Sequence, residues 1–376
     1  MDFTLNDEQR MLEETAARLV RERYGFEQRR RHAAEPTGYG AGIWAMMAEL
    51  GLTAVPFPEG DGGFAGGGVE LLVLHQQFGR GLTLEPYLAS VVLGGGLLSR
   101  LGADAQREAV LPQVIAGETI LALAYAEPSG GYDPFWIETK AERAGDGWRL
   151  SGAKSVVLHG DGAGRLLVTA RTGGGTGDGD GISVFLVDPT QAGVGVRGYA
   201  TIDGLRAAEI TLDGAAGELV GPEGAAADAL EATLAAGCVA LCAEAVGAME
   251  QACELTLDYL KTRQQFGAPI GRNQVLQHRM VDMRIALEQA RSMAILAACS
   301  LEADAAERER RISAAKALIG TSGRFVAEQA IQMHGGMGMT EEAAVSHFAK
   351  RLVMIDHWLG DSDYHTARFA ELPEAA

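Results

Sequence analysis

A mainly α-helical chain with a β domain set into its middle is the fold class this sequence predicts. Three observations carry it. Apolar residues recur at steps of three and four from the N-terminus to about residue 118. That period gives way to short β-rich runs and frequent glycine from about 119 to 225. It then returns as four long stretches from 226 to the end. The 376 residues therefore divide into a helical domain (1–118), a β domain (119–225) and a four-helix bundle (226–376).

In the first domain, MDFTLNDEQRMLEETAARLVRERY places Asn6 as an N-cap, with Met11, Leu12, Thr15, Leu19 and Val20 on one side of the helix. The basic run Arg29 to His32 reads as a solvated helix end. A second helix around Trp44 to Leu50 stops at Gly51, and LTAVPFPEGDGGFAGGG follows as a Gly- and Pro-rich loop. A third helix spans about Val69 to Phe78, further apolar helix runs from Pro86 to Arg100, and VLPQVIAGETI closes the block. In the β domain, ILALAYAE, WRLSGAKSVVLHG, RLLVTA, ISVFLVD and AEITLDG have strand character. The tract Gly173 to Gly181 reads as a flexible hairpin loop, and without a following Lys-Ser/Thr it makes a weak phosphate cradle.

The bundle is organised around Tyr259 to Met283, YLKTRQQFGAPIGRNQVLQHRMVDM. Before it, Leu230, Leu234, Gly237, Leu241, Ala245, Ala248, Ala252, Leu255 and Tyr259 put one face of a long helix into a core, and Arg263 lies one turn further. Gly267 and Pro269 break that helix. Gln274 opens the next, whose stripe is Leu276, Met280, Met283, Leu287, Ala290, Ala294, Ala297 and Leu301. Ile312, Ala315, Ile319, Ser322, Val326, Gln329 and Met333 mark a third helix, and His347 to Ala370 holds most of a fourth. A guanidinium (Arg263), an aromatic ring (Phe266) and an amide (Gln274) thus gather at one corner. Arg suits a pyrophosphate because its fork donates paired hydrogen bonds, and it equally suits a helix C-terminus. The stretch Ile331 to Ala344, IQMHGGMGMTEEAA, ends the third helix on Gly335 and Gly336 and restarts at Thr340 with Glu341 and Glu342 in the first turn. Such glycines serve as a helix C-cap or as a close approach for a ligand.

Composition removes several classes. Hydrophobic residues make up 47% and charged residues 22%, ordinary proportions for a packed chain. A net charge of −18 argues against nucleic acid and anionic lipid, which need clustered positive charge. Neither a bilayer-length apolar run nor a signal-like N-terminus is expected, which points to a cytoplasmic protein away from membranes. Cys238, Cys242, Cys253 and Cys299 read as small apolar fillers in helices, with no second pair to complete a metal site.

R-x-Q-F-G and Q-x-x-G-G-x-G, about 65 residues apart on long helices, resemble the acyl-CoA dehydrogenase family. The opening helix, the P-E-x-x-G-G turn, the I-A-G-E close and the domain order extend the resemblance over the whole chain. It implies an N-terminal helical domain, a β-barrel-like middle domain and a C-terminal four-helix bundle. It further implies FAD as cofactor, an acyl-CoA substrate, α,β-dehydrogenation with hydride passed to the flavin, and an electron-transfer acceptor. Arg263, Phe266, Gln274, Gln332, Gly335 and Gly336 match the residues that hold the ADP part of FAD across a subunit interface. A dimer or tetramer follows from that resemblance. So does a similarity of Ala124 to Asp133, with Glu127-Pro128 and a glycine pair, to the strand beside flavin and substrate.

The chain departs from the family where chemistry happens. After Gly152 and Lys154, where Trp and Thr usually flank the flavin ring, stand Val156 and Leu158. Leu359 occupies the usual position of the catalytic Glu, and Gly237 the alternative one. Asp361, Glu244, Asp363, Asp228 and Glu231 are the substitute carboxylates in reach of the argument. His357, Asp361 and His365 have metal-ligand spacing, in a family that uses no metal. GAKSVVLHGD, ALCAEAVGAME and RLVMIDHWLGDSDYH resemble the small subunit of pimeloyl-CoA dehydrogenase-like enzymes. That resemblance implies a heteromer in which a second acyl-CoA dehydrogenase subunit supplies the base. A homo-oligomeric flavoenzyme and a non-catalytic interaction subunit remain the alternatives.

Overall fold

The computed structural model describes residues 4–373. Helix α1 (Asp7–Arg23) begins with a reciprocal cap: the Asn6 side chain accepts the Gln9 N–H at 2.8 Å, and the Gln9 side chain accepts the Asn6 N–H at 3.0 Å. Ala16, Leu19 and Val20 form its buried face, whereas Met11 is exposed. A short helix missing from the sequence reading, α2 (Phe26–Ala33), follows. Its charge-rich sequence hides its one buried residue, Arg29, which donates to the Leu82 carbonyl at 2.8 Å and is therefore not the solvated end expected. Next come α3 (Ala41–Glu49) and α4 (Gly68–Gly81). A π-helical segment (Tyr87–Gly95) runs into α5 (Gly96–Leu101), and α6 (Asp104–Ile115) precedes the β domain.

The middle domain holds β1 (Leu121–Ala124), β2 (Lys140–Ala144), β3 (Gly147–Leu158), β4 (Arg165–Arg171), β5 (Ile182–Val187), β6 (Val194–Ala200) and β7 (Arg206–Val220). Strand β4 pairs with β2, β2 with β3, β3 with β7, β7 with β5, and β5 again with β4, so the sheet closes on itself. Leu150, Val168, Phe185, Ile210 and their neighbours fill the interior. Sequence patterning missed β2 and β6 because neither shows a buried alternation; β6, VGVRGYA, is mostly exposed and carries two glycines. The tract Gly173 to Gly181 does join the antiparallel pair β4–β5.

The bundle contains α7 (Ala227–Thr262), the two-residue strands β8 (Gln264–Gln265) and β9 (Ala268–Pro269), α8 (Gln274–Ser300), α9 (Ala305–His334), α10 (Ala344–His357) and α11 (Ser362–Glu371). The expected fourth helix is thus two, broken between Trp358 and Asp361, and the restart after the glycines comes at Ala344 rather than Thr340. Every residue of α7 from Ala235 to Met249 is buried, Glu244 included, so over this stretch the helix is enclosed all round instead of on one face. Contrary to expectation, α7 is long and apolar enough to cross a bilayer by length and composition; 89% of its most apolar window is buried inside the fold. Of the cysteines, Cys238, Cys242 and Cys253 are buried and Cys299 is exposed.

The residues group into two compact units. One comprises the described residues of Met1–Arg30, Gly67–Thr83 and Cys238–Ala376, and the other Arg31–Gly66 and Leu84–Gly237. In the first, α4 crosses α7 at glycines. A Cβ on Gly79 would lie 2.0 Å from the Glu244 carbonyl oxygen, and one on Gly247 would lie 1.9 Å from the Gln76 carbonyl oxygen. Only hydrogen at those positions lets the two backbones meet.

Candidate functional site

The corner after α7 is a tight hairpin. Gln264 and Gln265 pair with Pro269 and Ala268, which leaves Phe266 and Gly267 as its two central residues, with φ of +54° and +80°. Phe266 is fully exposed (102%), an aromatic held outward at the tip of the turn. Arg263 continues the helix through its N–H to the Tyr259 carbonyl at 2.8 Å, while its guanidinium has no hydrogen-bonding or ionic partner among the described residues. Gln274 is exposed at the start of α8. Alongside this corner lies an apolar groove of about 620 Å³, with Leu257, Leu260, Pro269, Met280 and Val281 among its lining residues.

Helix α9 ends beside the same corner. Gly335 takes φ +62° and donates to the Gln332 and Ile331 carbonyls, and the chain then makes a 3₁₀ turn from Gly335 to Met339. The positive φ falls at Gly335, not at Gly336, and a Cβ on either would meet nothing within 4 Å. Gln332, Gly335 and Gly336 are exposed. The two motifs are drawn together by a contact the sequence reading did not single out: the Tyr259 and His334 rings stack with centroids 4.4 Å apart and an interplanar angle of 24°. Arg279 adds a hydrogen bond to Gln329 at 2.8 Å between α8 and α9. Burial holds the His334 pKa below its ordinary value, so its ring is neutral at neutral pH and stacks without a desolvated charge. A His directly before Gly-Gly, facing a Tyr one turn before the Arg, was the available signal.

In the other unit, the segment similar to the family's flavin strand is held by Lys154. Its side chain is fully buried and donates to Glu127 Oε1 at 2.7 Å, Thr169 Oγ1 at 3.0 Å and the Tyr125 carbonyl at 3.2 Å. Glu127 also accepts the N–H groups of Glu138 (2.7 Å) and Thr139 (3.0 Å). Burial, opposed by Glu127, pushes Lys154 down to about 8. For Glu127, burial works upward but the Lys154 charge and the hydrogen bonds prevail and hold it below the usual carboxylate range. Both are charged at neutral pH. Gly152 is required there, since a Cβ would press to 2.5 Å from Thr139 Oγ1. Val156 takes φ +53° at a bulge and is partly exposed, whereas Leu158 is buried. Of the two apolar replacements beside the expected ring site, only Val156 therefore presents a surface.

At the break between α10 and α11 the acids Asp356 and Asp361 are both engaged, and only Asp363 is left to solvent. Leu359 is half-buried at φ +59°, and its carbonyl accepts from His365 Nε2 at 2.9 Å. Asp361 caps α11, with Oδ1 accepting the Tyr364 N–H at 2.8 Å. Asp356 is buried, paired with Arg324 and accepting from the Ser362 hydroxyl at 2.6 Å. Glu244 is gripped by Arg351 through both oxygens, at 2.6 and 2.8 Å, with both side chains buried. That use removes it from the candidate bases: a carboxylate engaged bidentately by a buried guanidinium is not available to a substrate proton. Asp228 and Asp363 are exposed and Glu231 half-exposed, while Gly237 lies in the fully buried stretch of α7. His357, Asp361 and His365 do not converge on a metal, because His365 binds Leu359 and Ser313, Asp361 caps a helix and His357 faces solvent. Burial raises the Cys238 and Cys242 thiols to about 11 and about 12, which leaves them unreactive.

The sequence matches the acyl-CoA dehydrogenase N-terminal domain over residues 6–118, the middle domain over 122–215 and the C-terminal domain over 226–372. It is 29% identical to a probable acyl-CoA dehydrogenase, YngJ, of Bacillus subtilis, over 96% of this chain and 97% of that one. Among solved structures it is similar to the ChsE4-ChsE5 complex from Mycobacterium tuberculosis, at 26% identity and a TM-score of 0.88 over 100% of both chains. It is also similar to the FAD complex of PigA, at 25% identity and a TM-score of 0.90 over 98% of both chains.

Proposed function

The chain belongs to the acyl-CoA dehydrogenase family, a family of flavoprotein oxidoreductases whose cofactor is FAD, and on that footing we propose that it is the base-lacking subunit of a heteromeric enzyme that dehydrogenates an acyl-CoA at its α,β bond. The observation that carries the proposal is the stack of Tyr259 on His334, which supports a common site for the motif of Arg263, Phe266 and Gln274 and the motif of Gln332, Gly335 and Gly336. These residues fit a dinucleotide. Arg263 is an exposed guanidinium with no ionic partner among the described residues, Phe266 is an outward aromatic, and the two glycines leave open space where a side chain would stand. Arg263 would donate paired hydrogen bonds to the pyrophosphate, Phe266 would pack on the adenosine, and Gln274 and Gln332 would complete the polar contacts. When bound, the flavin supplies the acceptor for the hydrogen removed from the substrate.

The residues that would serve a ring and a substrate are, by contrast, spent elsewhere. Leu359 offers no proton acceptor, Glu244 is held by Arg351, and Leu158 is buried. A chain that keeps an outward ADP grip without its own base fits a role in a neighbour's site. The ChsE4-ChsE5 complex supports assembly with a second chain of the family, as does the exposed apolar groove beside the α7–α8 corner. The resemblance to the small subunit of pimeloyl-CoA dehydrogenase-like enzymes points the same way, with electrons leaving to an electron-transfer acceptor. The second reading is a non-catalytic subunit that only stabilises its partner, which the missing base equally favours.

FAD titration of the purified assembly tests the grip. Arg263→Ala removes a charge-assisted pyrophosphate contact worth roughly 2–4 kcal/mol, which weakens FAD binding by about 30- to 1000-fold. An Arg263→Ala assembly that binds FAD as tightly as the parent rules the assignment out.

A further inference from the structure

The break between α10 and α11 is fastened from α9 by one buried ammonium. Lys316 lies on the buried face of α9, between Ile312 and Ile319, and its side chain is fully enclosed. Nζ donates to the Ile355 carbonyl at 2.9 Å, the Asp356 carbonyl at 3.0 Å and the Gly360 carbonyl at 2.7 Å. The first two are carbonyls of the last turn of α10 that no following helical N–H can reach, and there a positive charge is also favoured by the helix dipole. The third lies across the break, so one group ties both sides of the turn together. Around it, His365 holds the Leu359 carbonyl, and Asp356 holds the Ser362 N–H and hydroxyl. Within this frame Leu359 sits at φ +59°, where a branched side chain is strained. Gly360 sits at φ +103°, where a Cβ would come within 2.4 Å of the Tyr364 ring. A conformation of this kind persists only when its surroundings over-determine it.

We infer that Lys316 is a positioning residue: its ammonium fixes the backbone from Ile355 to Gly360 and so determines where the side chain at position 359 stands. A solvated cap would not need a lysine with all three donors on backbone carbonyls. A packing residue would not need a charge whose burial already disfavours it. Burial lowers the Lys316 pKa, while its neighbours Cys238, Cys242, Asp356 and Asp361 oppose that shift. The inference rests on the proposed function only for its catalytic consequence. If an acid is restored at 359, Lys316 sets its distance from the substrate without touching either.

The first experiment needs no flavin. The full chain is labelled with 5-fluorotryptophan, which gives four ¹⁹F resonances, and Trp358 is assigned with Trp358→Phe. Lys316→Met keeps the length of the side chain and removes all its donors; Lys316→Gln keeps an amide on a shorter arm and decides the matter if the Met variant does not fold. The expected result is a moved or broadened Trp358 line with Trp44, Trp136 and Trp148 unchanged. An unmoved Trp358 line in the folded variant overturns the inference, and so does equal movement of all four lines. The second experiment adds Leu359→Glu and measures anaerobic flavin reduction by acyl-CoA in the assembled protein with the partner subunit's own catalytic carboxylate replaced by its amide, so that the acid at 359 is the base being measured. Adding Lys316→Met to that background is expected to slow reduction by about a hundredfold with KM little changed, the effect of a misplaced group and not of lost binding. Equal rates with and without Lys316 contradict the positioning role. If the Leu359→Glu assembly takes up no flavin, the proposed function fails, and the fluorine spectrum still decides for or against Lys316.

Discussion

Replacing Glu244 by leucine should destabilise its unit strongly, and replacing Arg351 as well should restore most of the loss. The pair joins α7 to α10 through two short contacts, Arg351 Nε to Oε1 at 2.6 Å and Nη2 to Oε2 at 2.8 Å. Side-chain exposure is 6% for Glu244 and 4% for Arg351, so water cannot take over either charge. Glu244→Leu alone takes the bidentate carboxylate from a buried guanidinium, at a cost of roughly 3–5 kcal/mol. Buried His75 offers no relief, because burial and the Arg351 charge push its pKa down to about 3. The double variant Glu244→Leu/Arg351→Met removes both charges and keeps the volume, and such replacements are often close to neutral. The assay is urea denaturation followed at Trp358 in a background where Trp44, Trp136 and Trp148 are phenylalanine, analysed as a double-mutant cycle. A coupling energy of about 3 kcal/mol is expected. Single variants within a few tenths of a kcal/mol of the parent, or a double variant no better than Glu244→Leu, would mean the carboxylate is not committed to Arg351. Glu244 would then return as a candidate base.

Two further outcomes follow from the site. Gly336→Val should leave folding intact, because its Cβ has open space, but should abolish FAD uptake by covering the turn; Gly335→Val, placed at φ +62°, should lower stability as well. A folded Gly336→Val assembly with full flavin content contradicts a cofactor role for that turn. His365 should make the chain acid-sensitive. Burial, together with the Lys316 charge, lowers its folded pKa to about 4 against an ordinary 6.5. The unfolded chain therefore takes up the proton first, and stability falls as pH drops from 6.5 towards 4, by about 3 kcal/mol in all. Urea midpoints at pH 7 and pH 4.5 for the parent and His365→Gln measure this, and an equal pH slope in both would refute it.

Much of the architecture was legible because it rests on period and punctuation. The stripes of α8 and α9, the cap at Asn6 and the hairpin at Gly173 to Gly181 all follow from local pattern. What escaped depends on the third dimension. Arg29 and Lys316 are charged residues whose hydrogen-bonding partners lie far along the chain, and only the fold shows that they are buried. A charge in the middle of an apolar stripe was a usable sign for Lys316 between Ile312 and Ile319, whereas the RRRH run gave no sign for Arg29. The break at Trp358 to Asp361 was hidden because Leu359, a residue that seldom takes positive φ, adopts it under tertiary constraint. At the site, the ADP-side residues could be named from two motifs, but their meeting depends on a Tyr259–His334 stack that no local pattern announces. Glu244 looked like a spare acid because its partner Arg351 stands more than a hundred residues away.

The central claim is that this chain holds FAD for a neighbour and lacks a base of its own. The direct measurement is anaerobic flavin bleaching by added acyl-CoA, made on the chain purified alone and on the chain co-expressed with a second, base-bearing acyl-CoA dehydrogenase subunit. The account predicts stoichiometric bleaching in the mixed assembly. It predicts none, or a rate lower by roughly 10²–10⁴-fold, in the chain alone, the range lost with a general base. Full and rapid bleaching by the lone chain would contradict it and return Asp361 to consideration as the proton acceptor.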